Sequence, residues 1–239
     1  MADSLYCDGV DDYRRFNAGS VVGSGAITIV LIAKNIDPGT GWMNYLGWNS
    51  VDRGLYGDDT SPTQRLAIWD GGVARASTFS VMDTENWLLL AASKPAGTST
   101  PRFHRYKYDT SAWIHEAASG TIVDYPVCAN ITWAADGDIS QHFNGNILIA
   151  GIWDSELSDA TIETLNLNKA DWVTAAPKEA YRFDTAGTIT PFVGTSTQTA
   201  SVGGTLDSGD APSGWSDGPA TPIPLIYVPA QAAMRARSY

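Results

Sequence analysis

The chain is short of cysteine, glutamate, positive charge and long apolar runs, and each shortage closes a class of function. Cys7 and Cys128 are the only thiols, so a cysteine-built metal site or disulfide framework is excluded. Both fall inside apolar, strand-like runs, where two buried thiols compete with one disulfide. Lysine and arginine total 15 against 26 acidic residues, a net charge of -11. That balance repels a phosphate backbone, whose binding needs clustered cations, so nucleic acid is not an expected partner. No stretch approaches the roughly 20 apolar residues that span a bilayer, so membrane insertion is not expected. Met1-Ala2-Asp3-Ser4 lacks the basic region and apolar run of an export signal. The expectation is a protein made in a cytoplasm.

The acids themselves are lopsided, with 21 aspartates and only five glutamates. Aspartate favours turns and glutamate favours helices, so most of the negative charge belongs in loops. His104, His115 and His142 sit in separate segments. Neither His-x-x-x-His nor Gly-x-Ser-x-Gly occurs to suggest zinc hydrolysis or a serine nucleophile. The glycines between Gly19 and Gly25 open no helix, so they form a loop and no phosphate cradle.

What is present is a succession of short β-type runs punctuated by Gly, Pro, Asp and Ser, the pattern of a sandwich or barrel. The clearest are Ser4 to Asp8, Ala26 to Lys34, Gln64 to Trp69, Trp87 to Ser93, Pro101 to Tyr108, Ala129 to Ala134 and Asn146 to Trp153. Ala26 to Ala33 is apolar at nearly every position, which predicts a central strand covered on both faces. Phe103 to Tyr108 alternates its charges and predicts a half-solvated, outer strand, with His104 a strand-face side chain beside Tyr106 and Tyr108. Leu157 to Leu165 predicts one short helix, with Ser158 as N-cap, Asp159 in the first turn and Leu157 and Ile162 as a hydrophobic staple. Thr195 to Ser213 predicts a strand pair with polar turns. Residues 218–239 carry four prolines within eleven positions, which forbids a helix and favours an extended arm. The division is a domain over 1–217 and an arm over 218–239. The arm is either a disordered end or a segment whose apolar centre, Leu225-Ile226-Tyr227-Val228, packs on a neighbour.

Two segments resemble the ends of a laminin-G-like, concanavalin A-like jelly roll. Ser4-Leu5-Tyr6-Cys7-Asp8-Gly9-Val10-Asp11-Asp12-Tyr13 is similar to its opening strand and turn. Phe143 to Ile162, through Asn146-Ile147-Leu148-Ile149-Ala150-Gly151-Ile152-Trp153, is similar to its late strand and short helix. Between them Asn86-Trp87-Leu88-Leu89-Leu90 looks like the strand that opens with tryptophan. The resemblance implies an all-β, concanavalin-like jelly-roll sandwich of two antiparallel sheets with one short helix, its first strand beside a late one. Residues 168–217 resemble the extra closing segment such modules carry in bacteriophage minor tail and capsid-surface proteins. From this follows the expectation of a bacteriophage virion component, a minor tail protein or a capsid decoration or fibre, found at the virion surface. It would display a lectin-like domain for host attachment. The arm, with Arg235 and Arg237 at its tip, would then dock onto other virion proteins, and a homotrimer follows by analogy with phage fibres. A stand-alone carbohydrate-binding module is the alternative.

Glycoside hydrolases share this sandwich, and a retaining one needs two carboxylates roughly 5 Å apart. The laminarinase-like Glu-x-Asp-x-x-Glu spacing is absent. Glu85, Glu116, Glu156, Glu163 and Glu179 are scattered, and Asp83-Thr84-Glu85 reads as a turn. The chain is therefore expected to be no enzyme, with a degraded hydrolase as the remaining third class. No cofactor is required by the motifs, but the resemblance implies calcium, for which Asp8 and Asp11 at the first turn and Asp136 and Asp138 in a late loop are the candidates, against simple turn-making aspartates. Aromatic faces stack on sugar rings, and Trp42 and Trp48, flanked by glycines, and Trp69, beside Asp70-Gly71-Gly72, are the candidates for glycan contact, against packing at a sandwich end. Trp87, Trp133 and Trp153 belong to the core.

Overall fold

The structure, a computed structural model, describes residues 3–17, 25–36, 42–49, 51–58, 64–208 and 212. Its strands run β1 (Asp3–Asp8), β2 (Tyr13–Asn17), β3 (Ile27–Asn35), β4 (Met43–Trp48), β5 (Val51–Gly57), β6 (Arg65–Asp70), β7 (Ala74–Ser80), β8 (Leu88–Lys94), β9 (Arg102–Lys107), β10 (Ala112–Ala117), β11 (Asn130–Trp133) and β12 (Asn144–Trp153). Two helices follow, α1 (Asp159–Thr164) and α2 (Lys169–Thr174), then β13 (Glu179–Arg182), β14 (Thr197–Val202) and β15 (Thr205–Ser208). One sheet has the order β10-β9-β8-β3-β12-β1-β15, with β13 also on β12; the other runs β14-β2-β11-β4-β5-β6-β7. The fold is an all-β jelly-roll sandwich of two antiparallel sheets. β1 lies against β12, Leu5 opposite Ile147, so an early and a late strand are neighbours. Among the described residues no helix is long and apolar enough to cross a membrane.

Two apolar layers result. Ile27, Ile29, Leu31 and Ala33 of β3 face inward with Leu88, Leu90, Phe103 and the second sheet's Tyr45, Leu55, Leu66 and Trp133. The alternate residues Val30 and Ile32 face outward, where Leu89, Leu148, Trp153, Ile162 and Trp172 cover them. This is why β3 is apolar on both faces: α1 and α2 lie on its outer side. Ser158 caps α1 by accepting from the Thr161 amide at 3.2 Å, and Ile162 is its buried anchor. The sequence pointed to one helix; α2 is a second, capped by Asn168, whose Oδ1 accepts from the Ala170 amide. Six residues with the single buried anchor Trp172 give too little periodicity to read as a helix from sequence.

After α2 the chain closes both sheets. β13 continues along β12 beyond the end of β1, β14 extends β2 and β15 extends β1. Arg14, wholly buried, fastens this segment by donating to the carbonyls of Ala186, Val202 and Gly203 at 3.2, 3.0 and 2.9 Å. The buried Glu179 carboxylate accepts from the amides of Thr195 and Ser196 and from the Ser196 hydroxyl. Cys7 and Cys128 are both buried and free. The arm over 218–239, with Leu225, Ile226, Tyr227, Val228, Arg235 and Arg237, lies outside the described residues.

Candidate functional site

β9 and β10 form a hairpin at the edge of the first sheet, with Trp113 opposite Tyr106 and His115 opposite His104. Cross-strand partners share a face, and so do residues two apart on one strand. The four rings therefore project together, on the outer side of the sheet. Tyr106 lies 4.9 Å from Trp113, ring centre to ring centre, and 4.9 Å from Tyr108, which it meets edge to face. His115 stacks on Trp113 at 5.2 Å, nearly parallel. The end of α1 and the residues after it form the facing wall with Glu163, Leu165, Asn166 and Leu167. The hollow between them has a volume of about 310 Å³.

Its polar groups are few and held in place. His115 donates from Nε2 to Glu163 Oε1 at 2.8 Å, which fixes the carboxylate at the rim. The Tyr108 hydroxyl is buried and has no hydrogen-bond partner among the described residues. Burial, and then the neighbouring Tyr106, push its pKa up, so it remains a neutral donor. Behind the hollow, Ser93 Oγ meets His104 Nε2 at 3.1 Å and His104 Nδ1 meets His115 Nδ1 at 2.8 Å. Burial, and then His115, lower the His104 pKa to about 4, so this ring is neutral at pH 7. Arg102 grips Asp159 through Nε at 3.2 Å and Nη2 at 2.6 Å. Burial pushes that carboxyl up, but the Arg102 hydrogen bonds and charge outweigh it and hold it below the ordinary value. Flat aromatic walls, one oriented carboxylate, one amide and one unsatisfied hydroxyl are the groups that receive a ring carrying several hydroxyls.

Tyr106 and Tyr108 stood out in the sequence only as a strand face, and Trp113 and Glu163 carried no functional reading. A signal existed, since Tyr106-x-Tyr108 and Trp113-x-His115 flank the tight Asp109-Thr110-Ser111 turn and so must meet across a hairpin. The facing wall had none, because α1 reaches it from 48 residues further on.

The sequence's own aromatic candidates divide. Trp42 and Trp69 do come together, 5.5 Å apart, on the outer face of the second sheet, with Tyr56 edge-on to Trp42 at 5.9 Å. A hollow of about 340 Å³ beside them is floored by Ala67, Ala74 and Ala76 and rimmed by Asp58, Arg65 and Arg75. Trp48 is a correction: it is wholly buried, lies edge-on to Tyr125 and donates from Nε1 to the Pro126 carbonyl at 3.0 Å. Its strand position turns it into the sandwich, so it has no face for a ligand. Asp83-Thr84-Glu85 is a turn, with Asp83 Oδ1 accepting from the amides of Glu85 and Asn86.

The calcium set is also corrected, because its four acids share no centre. Among the described residues the carboxylates that converge there are Asp8, Asp11 and Asp12. The Asp12 oxygens are taken by the amides of Asp8 and Gly204. Asp136 is buried and spends both oxygens on the amide and hydroxyl of Ser140, while Asp138 is exposed. Among the described residues Asp8 and Asp11 thus converge with Asp12 at the first turn, and Asp136 and Asp138 do not join them.

Neither a protein-family model nor a curated protein sequence matches the chain. Among solved structures it is similar to a candidate carbohydrate-binding protein from Bacteroides ovatus, with a TM-score of 0.62 and 15% identity, over 89% of this chain and 61% of that one. The chain thus spans about three fifths of that protein. Weaker likenesses are to tailspike protein 2 of the Escherichia coli O157:H7 bacteriophage CAB120 (TM-score 0.45, 14% identity, 66% of this chain and 26% of that one) and to the CBM40 of a Ruminococcus gnavus IT-sialidase (TM-score 0.42, 12% identity, 66% and 96%). At these identities the likeness is one of fold.

Proposed function

We propose that this chain is a carbohydrate-binding module that holds its sugar without turning it over, at the hollow between the β9–β10 hairpin and α1. The observation that carries the reading is the grouping of Tyr106, Tyr108 and Trp113 around one 310 Å³ space, with Glu163 held at its rim by His115. A pyranose ring would stack on Trp113 or Tyr106, and Glu163 and Asn166 would accept from and donate to its hydroxyls. The Bacteroides ovatus protein of like fold is itself a candidate carbohydrate binder, which agrees with the reading. The test is a glycan array of neutral and acidic oligosaccharides, followed by calorimetry on the best probe. Trp113→Ala and Glu163→Gln should each weaken binding about tenfold or more, the equivalent of roughly 1.4 kcal/mol, with an unchanged circular dichroism spectrum. Unchanged affinity in both would remove the site from this hollow.

The finer setting belongs to the same proposal: a bacteriophage particle carries the module at its surface, docked through the arm, as a minor tail or decoration protein. What supports it is the sequence resemblance and a closing segment that reaches both sheets after α2. Mass spectrometry of particles should find the chain at a fixed copy number, and light scattering should find the trimer. Removal of residues 218–239 should abolish incorporation; normal incorporation without them would reject docking by the arm.

A further inference from the structure

Behind the sugar hollow, two imidazoles meet nitrogen to nitrogen, and their outer partners decide what can sit between them. His115 Nε2 faces the Glu163 carboxylate at 2.8 Å, so that nitrogen carries the proton and Nδ1 keeps its lone pair. His104 Nε2 faces the Ser93 hydroxyl at 3.1 Å, which accepts or donates equally well. His104 can therefore hold its single proton on either nitrogen, but only the Nδ1 form pairs the two rings without a cation between them. With the proton on Nδ1 the 2.8 Å contact is a hydrogen bond to His115. With it on Nε2, both Nδ1 lone pairs point at one place, and Asp159 Oδ1 lies 3.8 Å from His104 Nδ1.

In that second tautomer the cluster has the features of a transition-metal site. His104 Nδ1, His115 Nδ1 and an Asp159 oxygen all lie within 4.8 Å of one another. Each imidazole is held through its other nitrogen by an oxygen, the arrangement that orients metal-ligating histidines. Trp113 stacked on His115 keeps that ring from turning. A metal bonded at about 2.0–2.1 Å would need the two Nδ1 atoms roughly 3.3 Å apart, a small opening of the present contact. Of the three ligands, Asp159 also lines a hollow of about 510 Å³ with Arg102, Glu156, Leu157 and Ser158. Arg102, bonded to Asp159 at 2.6 and 3.2 Å, opposes a dication, and the Asp159 and Glu163 carboxylates offset it.

We infer that His104, His115 and Asp159 bind one divalent transition-metal ion of zinc's class. Two imidazoles and one carboxylate suit zinc or cobalt and not calcium, which takes six to eight oxygens. Binding shifts the His104 proton from Nδ1 to Nε2 and releases none.

The test uses the full chain without a histidine tag, stripped with chelator and titrated with Zn²⁺ and with Co²⁺. The expected result is one equivalent bound, with visible Co²⁺ absorption of a tetrahedral site. His115→Ala and Asp159→Asn should each weaken Zn²⁺ at least tenfold, and equimolar Ca²⁺ should not compete. Imidazole ¹⁵N resonances of the unaltered chain give a readout free of substitution: on loading, His104 Nδ1 should lose its proton to Nε2, and the Nδ1 resonances of both rings should shift together. Absence of stoichiometric binding, or ¹⁵N shifts at His142 in place of His104 and His115, would overturn the site and leave the pair a hydrogen bond. Sugar affinity is measured separately, so failure of the metal site leaves the carbohydrate reading intact.

Discussion

The two aromatic hollows lie on the outer faces of opposite sheets and are built in opposite ways. On the first sheet, Tyr106, Tyr108 and Trp113 come from one hairpin, and the facing wall is a helix end bearing Glu163 and Asn166. On the second, Trp42 enters from outside β4, the floor is alanine, and the rim carries Arg65 and Arg75. Arg65 holds Asp58 by two bonds, at 2.9 and 2.7 Å. Among the described residues Arg75 hydrogen-bonds only the Ala74 carbonyl. One hollow thus offers an oriented acceptor suited to neutral hydroxyls, and the other offers guanidinium groups suited to an anion. The lesson is that tryptophan count alone does not locate a site; the group facing the ring decides what the ring can bind.

The largest effect separates the two tryptophans that looked alike beside their glycines. Trp48→Ala empties a wholly buried site and orphans the Pro126 carbonyl, so it should destabilise the domain by about 3–5 kcal/mol. Denaturant unfolding measures this. A change under about 1 kcal/mol would place Trp48 at the surface with Trp42 and restore it as a ligand contact.

Next comes the turn that supports the second hollow from below Trp69. Asp70 is buried, and its oxygens accept from the amides of Gly72, Val73 and Val123 at 2.9, 2.8 and 2.9 Å. Burial raises its pKa, but these bonds and Arg53 outweigh that and hold it below the ordinary carboxylate value. The native state therefore binds the Asp70 proton less readily than the unfolded chain does. The stability so contributed is complete above the unfolded value of about 3.9 and is lost as pH falls through the lower native one. Asp70→Asn should lower stability at pH 7 by about 1–3 kcal/mol and flatten the acid limb of melting temperature against pH. An acid limb as steep as in the parent would mean that other carboxylates set it.

Much of the fold was legible because periodicity records burial. The apolar run at Ala26 to Ala33 marked β3, and Ser158 with Ile162 marked α1. β2, β5 and β10 escaped because they carry Arg14-Arg15, Arg53 and His115-Glu116 within short strands, and these polar residues blur the two-residue alternation. Arg14 misleads most, since a guanidinium that donates to three carbonyls of the closing segment is a core residue in this fold. The site was half legible. Trp42 with Trp69 could be picked from their glycine neighbours, whereas the Tyr106–Trp113–Glu163 hollow needs a hairpin and a distant helix to be placed together. No local pattern encodes that placement.

The smallest effect is the sharpest test of the comparison. Trp42 is half-buried against Trp69 and Tyr56, and nothing of the inter-sheet core rests on it. Trp42→Ala should change stability by under about 1 kcal/mol, as half-exposed substitutions do, and leave neutral-sugar affinity within about twofold of the parent. The same titration with a carboxylated oligosaccharide separates the hollows by charge. If Trp42→Ala and Arg75→Ala both weaken the acidic probe while Trp113→Ala does not, the guanidinium rim is a site in its own right. If Trp42→Ala weakens the neutral probe as much as Trp113→Ala does, stacking outranks the facing carboxylate, and the distinction drawn between the two faces fails.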